Sequence, residues 1–313
     1  MRGFSVSLFG RFTVKRDDQP LSGIDACKLQ DLLSYLLLYR NRAHSRDVLA
    51  GLLWGESPGA QAKKYLRQAL WQLQSILDCS TGQSNYHLLQ VEPDWVRIDS
   101  EPDLWLDVEI LEHAYSLVQR IPGEQMDTAK VEIVQRAVTV YTGDLLENCY
   151  HDWCLYERER LQNIYLVMLD KLMDHCEAHG QHASGVAYGE HSLHYNRARE
   201  RTHQRLMRMR YFAGDRTAAL RQYERCRLAL DEELGVEPSK RTTTLYEQIQ
   251  RDAVDEVAPA ASESYASEAN TTAPVSLSEV LSHLRGFQVV LTNIQQQVQQ
   301  DIRAVELFLH RRR

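Results

Sequence analysis

Apolar and polar positions change period several times along the chain, and each change predicts an element. Residues 5–14 alternate, with Val6, Leu8, Phe12 and Val14 on one face, before Asp17-Asp18 turns the chain toward Leu21. That pattern predicts a small antiparallel sheet. Over 28–40 the apolar positions Leu29, Leu32, Leu33, Leu36 and Leu37 recur at three- and four-residue steps, which describes an amphipathic helix. Ser45 is placed to cap a short second helix in which Val48, Leu49, Leu52 and Leu53 face inward and Trp54 ends the run. Gly55-Glu56-Ser57-Pro58-Gly59 has the composition of a loop. A third helix spans about 60–77, with Leu66, Leu70, Leu73 and Leu77 as its buried stripe. Residues 87–91 and 95–98 then read as two short strands around Glu92-Pro93-Asp94, a hairpin.

Beyond residue 100 the period is helical throughout. Segments 108–119, 128–141, 153–179, 183–195, 200–212 and 216–234 each carry it. Gly180-Gln181-His182 and Gly214-Asp215-Arg216 open equivalent turns 34 residues apart, the tetratricopeptide period. In that register Leu172 meets Leu206, Met173 meets Met207, Val186 meets Leu220 and Glu190 meets Glu224. A plain helical bundle is the alternative. Residues 254–276 are rich in Ala, Ser, Thr, Glu and Pro, a linker composition. From Leu277 a stripe runs through Leu281, Leu284, Phe287, Leu291, Ile294, Val298, Ile302 and Val305, at the average step of a coiled coil. The expected fold is mainly α with a small β component. Its parts are 1–100, a helical-repeat domain at 101–252, a disordered linker at 253–276 and an amphipathic helix at 277–313.

Charge sharpens this division. The chain has 36 Lys and Arg against 43 Asp and Glu, net −7. Residues 1–100 hold 12 basic and 10 acidic groups, so a slightly basic module precedes an acidic remainder. No stretch approaches the roughly 18–20 apolar residues of a membrane helix, and the N-terminus lacks a signal peptide's apolar core. Six cysteines, at 27, 79, 149, 154, 176 and 226, form no CxxC pair. They read as buried, reduced thiols of a cytoplasmic protein.

The third helix has a second face. At 100° per residue, Lys64, Arg67, Gln68, Trp71 and Ser75 cluster opposite the leucine stripe, with Lys63 on the flank. Cations neutralise phosphates, and Arg or Gln make paired bonds to base edges in a major groove. Arg97 on the hairpin would then lie near the duplex. A solvated face with Trp71 covered by another element fits the same residues.

The order sheet, three helices, hairpin resembles the winged-helix domain of OmpR-type response regulators, and more closely the Streptomyces antibiotic regulatory proteins. The resemblance is carried by Leu8-Phe9-Gly10-Arg11-Phe12-Thr13-Val14, by Arg42-Ala43-His44-Ser45-Arg46-Asp47-Val48-Leu49, and by Leu66-Arg67-Gln68-Ala69-Leu70-Trp71-Gln72-Leu73. Further on, Trp105-Leu106-Asp107-Val108, Tyr141-Thr142-Gly143-Asp144-Leu145-Leu146 and Glu233-Leu234-Gly235-Val236-Glu237-Pro238 are similar to the bacterial transcriptional activation domain that follows the winged helix in that family. The resemblance implies that Lys64, Arg67, Gln68 and Trp71 face double-stranded promoter DNA, and the helix face and hairpin add Lys63, Ser75 and Arg97 to the expected contacts. It also implies that the loop 55–61, through Glu56, Ser57 and Gln61, touches RNA polymerase. Where the family's recognition helices often end in an arginine pair, Gln74 and Ser75 stand here.

No enzyme chemistry is legible. His175, Cys176, His179 and His182 have helical spacing but no second ligand pair, so no metal is expected. No phosphate-binding glycine loop, GxSxG, HExxH or paired-carboxylate arrangement occurs, and no cofactor is expected. The expectation is a DNA-binding transcriptional activator that dimerises through its C-terminal stripe. The alternative is a protein-interaction scaffold with a vestigial winged helix.

Overall fold

A computed structural model describes residues 3–78, 88–99 and 104–254. The expected linker from residue 255 onward and the coiled-coil positions Leu281, Leu284, Phe287, Leu291, Ile294, Val298, Ile302 and Val305 lie outside the described residues, as does Cys79.

The alternation at 5–14 is divided between two strands. β1 (Phe4–Ser7) and β2 (Thr13–Arg16) pair antiparallel with Val6 opposite Val14, and β2 turns through Asp17 and Asp18 into β3 (Gln19–Pro20). Both aspartates have positive φ, as a tight hairpin turn requires. Leu8 and Phe9 sit in the connection, almost fully buried. The fourth strand of this sheet, β7 (Leu104–Leu106), comes from beyond residue 100 and runs parallel to β1.

α1 (Cys27–Leu38) buries Leu29, Leu32, Leu33, Leu36 and Leu37 as its spacing predicts. Cys27, at its outward-facing first turn, is exposed, contrary to the expectation of uniformly buried thiols. α2 (Arg46–Trp54) follows the short β4 (His44–Ser45). Ser45 is its N-cap by position but its side chain makes no cap bond. Val48, expected inside, is 60% exposed, because Leu49 and Leu53 take the buried stripe and leave it on the outer side. α3 (Gly59–Asp78) is two residues longer than predicted. β5 (Leu89–Val91) and β6 (Trp95–Ile98) form the expected hairpin, and β4 adds a third strand against β6.

Among the described residues seven α-helices follow: α4 (Asp107–Val118), α5 (Thr128–Val140), α6 (Asp152–Ala178), α7 (His182–Tyr195), α8 (Glu200–Phe212), α9 (Arg216–Leu234) and α10 (Lys240–Gln250). The first six match the sequence expectation to within a residue or two; α10 was not anticipated. The two turns of the 34-residue repeat share their chemistry, since Gly180 and Gly214 take φ of 65° and 83°. Their aligned partners also agree: Leu172, Met173, Leu206 and Met207 are all buried, while Glu190 and Glu224 are both exposed. The repeats are thus tetratricopeptide-like rather than an undifferentiated bundle.

One hydrophobic core runs from Val6 through Leu172, linking the small sheet and α1–α3 to α4–α6. A separate, smaller core of Met207, Ala219, Leu245 and Ile249 holds α8–α10 together. Among the described residues no helix is long and apolar enough to cross a membrane.

Candidate nucleic-acid interface

α3 divides cleanly into two faces. Leu66, Leu70, Leu73 and Leu77 are at most 2% exposed, with Ala62 and Ala69 beside them. Lys63, Lys64, Arg67, Gln68, Trp71 and Ser75 are all exposed. Trp71 is 67% exposed, and no described element covers it.

The helix is anchored at both ends. Arg16 Nη1 donates to the Leu77 carbonyl at 2.8 Å, satisfying a C-terminal acceptor that the helix itself leaves open. Lys63 Nζ lies 2.9 Å from Asp47 of α2, an exposed ion pair across the α2–α3 contact. Lys63 is therefore partly neutralised at home, whereas Lys64 and Arg67 pair with no described carboxylate.

The hairpin is pinned just as locally. The Arg46 N–H donates to the Asp94 carbonyl at 2.9 Å, and its guanidinium reaches the Glu92 and Pro93 carbonyls at 3.2 and 3.3 Å. Along β6 Val96 and Ile98 are buried, while Trp95 and Arg97 point outward. Arg97 Nε donates to Gln90 Oε1 at 2.6 Å, which orients its guanidinium above the outer face of the sheet. Trp95, 49% exposed, was not singled out from the sequence, although strand alternation places it beside Arg97.

The loop between α2 and α3 is shorter than expected. α3 begins at Gly59, so Gln61 belongs to its first turn, where Nε2 donates to the Tyr65 hydroxyl at 2.5 Å. Glu56 is exposed and Ser57 is half-buried, its N–H donating to the Trp54 carbonyl at 2.9 Å.

The histidines read as packing groups. His175 and His179 stack at 4.0 Å, and His182 stacks on Phe212. Burial holds the His175 imidazole below its ordinary range, with His179 adding to the effect. Among the described residues no group of three or more His, Cys, Asp or Glu side chains is placed to hold a metal.

A sheet, three helices and a wing, with an exposed basic face on the third helix and helical repeats behind, define a winged-helix protein joined to a repeat domain. Residues 106–250 match the family model of the bacterial transcriptional activator domain. With both modules in this order, the chain is similar to the Streptomyces antibiotic regulatory proteins, and its residues 106–250 are similar to that activator domain. It is 26% identical to the regulatory protein AfsR of Streptomyces griseus over 222 residues, and 26% identical to AfsR of Streptomyces coelicolor over 218 residues. Each match covers 70% of this chain but only 22% and 21% of those proteins, so the chain spans about a fifth of their length. The fold is shared with Mycobacterium tuberculosis EmbR, solved in complex with a low-affinity phosphopeptide. The TM-score is 0.59 at 20% identity, covering 82% of this chain and 67% of that one.

Proposed function

We propose that the chain is a DNA-binding transcriptional activator of the cytoplasm, without a catalytic site, that lays α3 in a major groove. The observation that carries this reading is the exposed row of Lys64, Arg67, Gln68, Trp71 and Ser75 opposite a fully buried leucine stripe. Arg67 and Gln68 read base edges, Lys64 and Lys63 neutralise phosphates, Trp71 makes apolar contact, and Arg97 reaches the flanking backbone. Glu56, Ser57 and Gln61 form the contact to RNA polymerase, the helical repeats take protein partners, and the C-terminal stripe joins two copies.

The test is a titration of full-length protein against its operator, recovered by genomic footprinting, across a range of salt. Arg67→Ala is expected to weaken operator binding by about 1–3 kcal/mol and relax preference at one base position. Lys64→Ala is expected to weaken all sequences alike and lower the salt slope by about one. In a reconstituted transcription assay, the Glu56→Ala, Gln61→Ala variant keeps operator affinity and loses activity. Wild-type binding by both α3 variants would leave the repeats as a partner scaffold and the winged helix as a remnant.

A further inference from the structure

Residues 197–210 carry six arginines, and the structure accounts for four of them. Arg197 pairs with Glu232 at 3.0 Å, Arg199 with Asp170 at 2.5 Å, and Arg210 with Glu190. Arg205, 4% exposed, is held by Asp174 at 2.8 Å and Glu177 at 3.1 Å, both on α6. Arg201 and Arg208 make no hydrogen bond or ion pair with any described residue.

These two are not strays on opposite sides. Residues 201, 205 and 208 recur at steps of four and three, so they share one face of α8, the face that Arg205 turns toward α6. A third unpaired guanidinium arrives from α10. Glu200 accepts the Ser239 N–H at 2.7 Å and Gln204 donates to the Thr242 hydroxyl at 2.7 Å, which brings the start of α10, with Arg241, against α8. Arg241 also has no partner among the described residues. The crowding registers at Arg208. Its pKa is lowered first by burial and then, against the attraction of Glu177, by Arg205, Arg241 and Arg201.

A lone surface arginine needs no explanation. Arg201 and Arg241 are exposed and Arg208 is half-buried; guanidinium groups gathered on one face repel one another, and such an arrangement is relieved when an anion completes it. We propose that the face shared by α6, α8 and α10 docks an acidic peptide segment of a protein partner, its carboxylates taken by Arg201, Arg208 and Arg241. The guanidinium fork matches a carboxylate with two parallel bonds. From Arg201 to Arg208 the stripe extends about 10 Å, a distance that a few residues of extended peptide cover. Asp170, Asp174 and Glu177 border the stripe, and a continuous phosphodiester backbone would run across them. A peptide meets the arginines one carboxylate at a time. The inference deepens the reading of the repeats as the partner-taking half and does not depend on α3 binding DNA.

Fluorescence anisotropy of labelled octaglutamate with the full chain tests it. Saturable binding is expected, weakened at least about tenfold in Arg201→Glu, Arg208→Glu, and weakened also in Arg201→Gln, Arg208→Gln, which adds no repulsion of its own. Octaglutamine is not bound. The Lys64→Ala, Arg67→Ala protein binds octaglutamate like wild type while losing duplex affinity, so the peptide and DNA readings fail separately. Four results overturn the proposal. They are no saturable binding by wild type, unchanged binding by both arginine-pair variants, loss of peptide binding in the α3 variant, or displacement of the peptide from that variant by a random duplex.

Discussion

Asp107 opens the first helix of the activator domain, yet its carboxylate serves the N-terminal sheet. Oδ2 accepts the N–H groups of Leu8 at 2.7 Å and Phe9 at 2.9 Å, and Oδ1 accepts that of Val108 at 2.8 Å. Burial pushes its pKa up to about 6, although those N–H donors favour the carboxylate. A raised value means the folded chain holds the proton more tightly than the unfolded one. The group's contribution to stability therefore falls as pH rises from about 4 to about 6, and is level above. In urea titrations, the advantage of wild type over Asp107→Asn should shrink by up to about 2–3 kcal/mol between pH 4 and 7. A difference that stays constant across that range would refute the shift.

Among the elements, α7 shows how closely the repeats pack. Gly185, Gly189 and Ser192 are buried on one face, and a Cβ at Gly189 would come within 2.6 Å of Leu206 and 2.9 Å of Met173. Glycine is there for room, since a helix interior otherwise favours alanine. Gly189→Ala is expected to lower stability by about 1–3 kcal/mol. Gly51→Ala on α2, where a Cβ meets nothing within 4 Å, should raise it by about 0.5–1 kcal/mol. Equal effects at the two sites in chemical denaturation would remove the packing argument. The same contrast explains what the sequence reveals. The long helices are legible because their buried positions repeat over several turns, and the exposed face of α3 is legible as the complement of its leucine stripe. α10 escapes because its buried face rests on Thr242, Leu245 and Ile249 alone. The two- and three-residue strands β4 and β7 are too short for any period, and only their partners define them. The Lys63–Asp47 pair was equally hidden, because it depends on how α2 packs against α3.

For the molecule as a whole, the proposed pairing of two copies is checked by sedimentation of the full chain and of a version ending at Arg251. An oligomer that truncation converts to a monomer, with weaker operator binding, is the expected result, because joining two reading heads makes the second contact intramolecular. A monomeric full chain at micromolar concentration would end the idea. Within one copy the winged helix has no independence from the repeats. β7 hydrogen-bonds to β1, the Gly10 N–H donates to the Asp144 carbonyl at 2.8 Å, and the Tyr39 hydroxyl donates to Glu157 at 2.9 Å. Tyr35 packs edge-on against Trp153 at 5.3 Å, closing the same boundary. Anyone grafting a foreign reading head onto this protein would be tempted to cut near residue 100. The strand contributed by Leu104–Leu106 puts the true seam elsewhere: a transplanted head must bring its own copy of that strand and of Asp107, or arrive with an open sheet edge and an unheld turn.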